Sequence, residues 1–282
     1  MNDILEIMCY PFVWRAVIAG SLISVCASVL GVVLVLKHYS LIGHGLSEIG
    51  FASLSVSSAL SIPPMYVAAP SVFTASFIIM YVSRKYRTAG DIAIAAASSS
   101  ALALGIAVSS LTGKASNMGS YLFGSVLAVN NTDLLLSIIL SVIVIASFVI
   151  LYNRLFLITY NEDYARSLGI NTALYQLIIS MLTALVVVVG MRLTGTLLIS
   201  GVIILPAVTA KIIASGFRSL VITSGAVSFI AFISGLTVSF VWDIPAGAGV
   251  ILANTAILAA AKLITNSARI PLALAMVRKR TI

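Results

Sequence analysis

Nine apolar stretches, each closed by charge, proline or a polar run, leave this 282-residue chain few ways to fold. A helix needs about 20 apolar residues to cross a bilayer. In lipid every backbone polar group must be satisfied internally, so spanning segments are helices or closed barrels. The runs here are long and continuous rather than alternating, which selects helices. They predict spans over 14–36, a second ending at Ile62 before Pro63-Pro64, then 65–82, 88–111, 133–152, 173–191, 194–213, 220–241 and 247–264. Only 9% of residues are charged and 61% are hydrophobic, against about 25% charged in soluble domains. The expected fold is an all-α polytopic membrane helix bundle, a single transmembrane domain over 1–282, with about nine transmembrane helices. Eight or ten stay open, because Gly195, Gly201 and Pro206 could split 194–213 into two short helices, tolerated only where protein or a water-filled cavity surrounds them.

Charge orients the bundle. Alternating nine spans puts Lys37, Arg84, Lys85, Arg87, Arg154, Arg166, Lys211, Arg218 and the C-terminal basic residues on one side, leaving Arg15, Lys114 and Arg192 on the other. The positive-inside rule then sets the N-terminus outside and the C-terminus in the cytoplasm. The net charge of +8 is spent on this asymmetry; no basic patch interleaved with aromatics suggests nucleic acid. Asp3 and Glu6 stand where a cleavable signal would carry positive charge. Cys9 and Cys26 have no metal-ligand spacing. Asp91, near the start of the fourth span, reads as a capping acid. The linker over 112–132 carries Tyr121-Leu122-Phe123-Gly124 and has room for a short interfacial or re-entrant helix.

Inside the second span stand His44 and Glu48, four residues apart and therefore on one helix face. Ionisable groups at membrane depth are costly and tend to mark a pathway. Imidazole with carboxylate is also a workable ligand set for a divalent transition metal. Two plainer readings stay open: the pair satisfies itself in the interior, or the helix starts later and both side chains snorkel to the headgroups. The most polar stretch, 153–172, contains Asn161-Glu162-Asp163-Tyr164-Ala165-Arg166-Ser167-Leu168-Gly169. It reads as a short helix capped by Asn161, with acids in its first turn, Arg166 later and Gly169 at its end.

Other chemistry is excluded. Gly113-Lys114 is no phosphate loop, since Val108 replaces the first glycine and Ala115 follows the lysine. Neither a His-Glu-x-x-His zinc motif nor a Gly-x-Ser-x-Gly elbow occurs. Ser47 beside His44 lacks the alignment of a nucleophile–base pair. No enzymatic activity is expected.

Taken together, these residues point to a family. Tyr10-Pro-Phe-Val-Trp-Arg-Ala, Ser40-Leu-Ile-Gly-His-Gly-Leu-Ser47, Ser120-Tyr-Leu-Phe-Gly-Ser-Val-Leu127, the 161–169 segment, Gly195-Thr-Leu-Leu-Ile-Ser200 and Leu205-Pro-Ala-Val-Thr-Ala210 resemble the permease subunits of bacterial metal-type ABC importers, the zinc/manganese/iron uptake family. The resemblance implies a homodimer around one pore in the bacterial cytoplasmic membrane, with two cytoplasmic ATPase subunits that bind the ATP and a metal-carrying binding protein outside. It implies no permanently bound cofactor, a transported Zn, Mn or Fe ion, and a coupling helix contributed by Asn161, Glu162, Asp163, Ala165, Arg166, Leu168 and Gly169. The family usually has Asp where His44 stands and His where Glu48 stands, so carboxylate and imidazole have changed places here. One nitrogen and one carboxylate ligand per subunit survive the exchange. The competing expectations are a stand-alone secondary metal transporter or channel, against which the 161–169 segment and the lack of an inverted repeat argue, and an ABC permease for a chelated metal.

Overall fold

The computed structural model describes residues 11–85, 90–113, 118–124 and 130–279. Among them all regular structure is helical: α1 (Pro11–Leu36), α2 (Ser40–Leu60), α3 (Pro64–Lys85), α4 (Gly90–Leu111), α5 (Met118–Phe123), α6 (Asn131–Tyr160), α7 (Glu162–Ser167), α8 (Thr172–Thr194), α9 (Ile199–Ile213), α10 (Phe217–Trp242) and α11 (Ala246–Lys279). Seven are long and apolar enough to cross a membrane: α1, α3, α4, α6, α8, α10 and α11. The two remaining expected spans exist as helices of a different kind. Helix α2 has 21 residues but carries His44, Glu48 and a run of serines, and α9 has only 15.

Three boundaries differ from the sequence expectation. Helix α6 does not stop near Tyr152 but continues for 30 residues to Tyr160, because Arg154 finds the Tyr175 hydroxyl and lies 5.7 Å from that ring's centre. Phe156 packs at a tilt against Phe217, ring centres 5.4 Å apart. These contacts carry a polar stretch as helix. Helix α11 likewise runs past Ile264 to Lys279. Within 194–213 the break falls at residues 195–198, and Gly201 and Pro206 stay inside α9.

That break is locked by glycine. Gly195 has φ +87°, and a Cβ there would lie 2.2 Å from the Leu122 carbonyl oxygen. Gly124, with φ +74°, would meet the Leu193 carbonyl at 2.4 Å. No side chain fits either place, so the end of α5 is pressed directly on the end of α8, and the Leu197 N–H donates to the Leu122 carbonyl at 3.3 Å. The linker thus contains the short helix that its sequence leaves room for.

Helices in lipid gain little from apolar attraction alone and associate through small residues and interhelical hydrogen bonds. On α1 and α10, Gly20 faces Phe232, Ser24 and Ser228 bond hydroxyl to hydroxyl at 2.6 Å, and Ser224 donates to the Ser28 carbonyl, an antiparallel seam. Gly31 of α1 would push a Cβ to 1.9 Å from the Ile203 carbonyl of α9. Ser76 of α3 meets Ser180 of α8 at 2.7 Å. Helix α8 touches α1, α6, α9 and α11 on one side and α2 and α3 on the other, and so joins the two halves of the bundle.

Two ion pairs mark the ends. Lys37, just past α1, pairs with Glu162 at the start of α7; Asp133, in the first turn of α6, pairs with Arg192 in the last turn of α8. The end of α1, the end of α6 and α7 therefore lie at one end of the bundle, with the start of α6 and the end of α8 at the other.

Candidate functional site

Helix α2 begins at Ser40, so at 1.5 Å per residue His44 and Glu48 stand about 6 and 12 Å along it, in the half nearer Lys37 and α7. His44 Nε2 and Glu48 Oε1 are 3.2 Å apart. Their surroundings differ. The imidazole is 44% exposed and the carboxylate 7%. Glu48 Oε2 is buried and has no hydrogen-bond partner. A buried carboxylate oxygen normally carries at least one bond; among the described residues none supplies one here. Gly45, one turn earlier, lets α4 come close: a Cβ there would be 3.0 Å from Ile94 and from the Ser98 hydroxyl, which is itself buried and unpartnered.

The pair meets at one carboxylate oxygen and leaves the other unbonded. Ser47 donates back to the His44 carbonyl at 2.7 Å. Among the described residues no three His, Cys, Asp or Glu side chains gather where they could hold a metal. Among the described residues His44 and Glu48 are two groups of ligand type standing together, and a transition metal takes four or more.

The second locus is α7. The Asn161 side chain accepts from the Tyr164 N–H at 3.0 Å, Glu162 and Asp163 occupy the first turn, and Arg166 the last. The helix closes in a Schellman motif: Ile170 N–H bonds the Ala165 carbonyl, Gly169 N–H bonds that of Arg166, and Gly169 takes φ +76°. Ala165 is fully buried against its own chain. Asp163, Tyr164, Arg166, Leu168 and Gly169 face outward.

Glu162 turns inward, which sequence reasoning missed. Its carboxylate takes Lys37, Arg166 at 2.6 Å and the Gln176 amide at 3.0 Å. Burial pushes this carboxyl up, but the Lys37 ammonium and the Arg166 guanidinium outweigh it and hold it below the usual carboxylate range. Nothing in the spacing of Lys37, Glu162 and Gln176 announces the cluster; only the fold brings them together.

The ABC 3 transport family model matches residues 9–265. The chain belongs to the ABC 3 transport family. Within that family, the manganese import system permease protein ScaB of Streptococcus gordonii is 29% identical over 248 residues, covering 88% of this chain and 89% of its own. The high-affinity zinc uptake system membrane protein ZnuB of Buchnera aphidicola subsp. Acyrthosiphon pisum is 25% identical, over 87% and 95%. The structure is similar to PsaBC from Streptococcus pneumoniae in complex with Fab, with a TM-score of 0.82, 25% identity, and 92% of this chain and 94% of that one covered. For an ABC 3 transport family member, the two loci found here fall into distinct places: a half-exposed imidazole beside a buried carboxylate on one helix, and a capped surface helix at the near end of the bundle.

Proposed function

We propose that this chain is the membrane permease subunit of an ATP-driven importer of divalent transition-metal ions. Two copies pair around one pore in the bacterial cytoplasmic membrane, with ATPase subunits below and a metal-carrying protein outside. The observation that carries this reading, beside the family match, is the half-finished ligand set: His44 with Glu48, one carboxylate oxygen buried and unbonded. A second copy would supply another imidazole and another carboxylate and complete a four-ligand shell of a kind that suits Mn, Fe or Zn. Nine crossings with the N-terminus outside follow if α2 and α9 cross as well, and the two end-marking ion pairs support that alternation. Helix α7 then faces the cytoplasm, where its outer residues dock on the ATPase. Closure of the ATPases moves α7 and switches the paired bundles between outward and inward access.

The test is metal content by mass spectrometry on the purified chain, equilibrated with Mn, Zn and Fe, beside a His44→Ala/Glu48→Ala variant. Metal in the wild type that disappears in the variant supports the site and names its preference. Normal uptake by a well-expressed double variant, with the ATPase present, would end the proposal. Co-purification of an ATPase separates this reading from a stand-alone transporter.

A further inference from the structure

Two buried groups on neighbouring helices each lack what the other offers. Glu48 Oε2 of α2 is an acceptor without a donor, and the Ser98 hydroxyl of α4 is a donor without an acceptor. Serine inside a helix commonly returns its hydroxyl to its own backbone three or four residues back. Ser100 does so to the Ala96 carbonyl, and Ser53 of α2 to that of Ile49. Ser98 makes no such bond although it is only 2% exposed. Its hydroxyl faces across the seam instead, 3.0 Å from where a Cβ on Gly45 would stand.

The helix geometry brings Glu48 to the same place. Helices α2 and α4 run in the same direction: Gly45 meets Ile94 and Ser98, and Gly105 meets Phe51 and Ala52. Ser98 therefore stands level with the turn from Gly45 to Glu48. At about 100° per residue, Glu48 projects between His44 and Gly45, about 40° from the first and 60° from the second. Helical side chains lean back over the turn before them, and the 3.2 Å contact with His44 puts the Glu48 carboxylate there. Oε1 is taken up on the His44 side, which leaves Oε2 for the Gly45 side. Gly45 puts no side chain of its own between that oxygen and Ser98.

We propose that Ser98 is a positioning residue of the ion path, whose hydroxyl donates to Glu48 Oε2 when a divalent cation replaces the contact between His44 and Oε1. Carboxylates that ligate a metal are usually held by a hydrogen bond of their own. This bond fixes Glu48 as a ligand through Oε1 and stops the carboxylate from turning as the imidazole moves aside. Without the ion the two atoms are unbonded. Loading thus closes a contact between α2 and α4, and a helix that supplies no ligand responds to the cargo. The inference rests on His44 and Glu48 holding the transported ion, as proposed above.

The experiment is titration of the purified full-length protein with Mn(II), with an infrared difference spectrum, loaded minus unloaded, taken on the same samples. The variants are Ser98→Ala, Ser98→Thr and Ser98→Val. The last two have nearly the same shape and differ in the hydroxyl. Glu48→Gln identifies the Glu48 carboxylate band. Ser98→Ala and Ser98→Val should weaken Mn binding by about tenfold and shift that band, whereas Ser98→Thr should match wild type in both. Wild-type affinity and an unmoved band in Ser98→Ala overturn the proposal. Equal weakening in Ser98→Thr and Ser98→Val with an unmoved band also overturns it, because packing alone then accounts for the loss. The His44→Ala/Glu48→Ala variant separates this inference from the reading beneath it. If that variant keeps the metal, the ligand pair fails and Ser98 with it; if it loses the metal while Ser98→Ala behaves as wild type, the ligand pair stands and only the role of Ser98 falls.

Discussion

Lys37 and Glu162, 125 positions apart in the chain, meet in a half-buried ion pair. Lys37 follows the last turn of α1, and three residues later α2 begins. Glu162 is the first residue of α7. The ion pair therefore fastens the helix that faces outward at the base of the bundle to the turn that leads into His44 and Glu48. One ion pair and one turn of helix thus separate α7 from His44.

If that fastening transmits motion, Lys37→Met and Glu162→Gln should each lower metal uptake per ATP hydrolysed. The double variant should be no worse than either single one. Contacting residues of this kind couple by roughly 0.5–3 kcal/mol. Uptake and hydrolysis measured together in proteoliposomes check this; additive losses would mean the two act separately.

The ligand pair makes a sharper prediction. Glu48→Gln preserves shape and removes the charge, and should weaken metal binding by at least about tenfold, the smaller end of what outer ligand partners alone contribute. His44→Ala should do the same. Metal titration of the purified protein measures both, and tight binding that survives Glu48→Gln would place the metal elsewhere.

Glu162 also predicts a pH dependence. Its carboxyl is held below the usual range in the folded chain by Lys37 and Arg166, against the opposing effect of burial. A depressed pKa contributes stability above the unfolded value of about 4.3, and that contribution is lost as pH falls through the folded value beneath it. The melting temperature of wild type should exceed that of Glu162→Gln at pH 7. The gap should close as the pH drops below about 4.

Substitutions on α7 should separate seating from docking. Ala165→Glu puts a carboxylate into a fully buried position and should lower the melting temperature, a change of several kcal/mol for an unpaired buried charge. Leu168→Glu, on the exposed side, should leave the melting temperature in place and still prevent co-purification of an ATPase. Equal behaviour of the two in both assays would remove the distinction.

Glycine at the α5–α8 junction is required twice over. Gly195→Ala would combine a left-handed backbone with a 2.2 Å clash and should destabilise by about 2–4 kcal/mol. Gly169→Ala is also at positive φ but has open space around it, and should lose only about 1–2 kcal/mol. Thermal unfolding in detergent ranks the two.

Much of this architecture is legible in the sequence because a bilayer imposes one length and one periodicity on every span. The spans around Val33, Val144 and Val187 announce themselves by apolarity alone. The α7 cap is legible as well, since Asn161, Glu162 and Gly169 are local signals read within about two turns of each other. What is not legible depends on distance. The extension of α6 past Tyr152 rests on Tyr175 and Phe217, and the inward turn of Glu162 rests on Lys37 and Gln176. The break at Gly195 rests on Leu122 and Gly124. Each is settled by a partner too far along the chain for any local pattern to encode. His44 and Glu48 stand out by composition; only the fold separates an exposed imidazole from a buried carboxylate with a free oxygen.

At 30 residues, α6 is about 45 Å long, against a hydrocarbon layer of about 30 Å. The excess emerges as unbroken helix and ends one residue before α7. If α7 docks an ATPase as proposed, the docking element is mounted on a cantilever rooted in the bilayer, not hung from a hinge. A push at its tip arrives at the root as tilt of a whole transmembrane rod, with little of the stroke absorbed in slack chain.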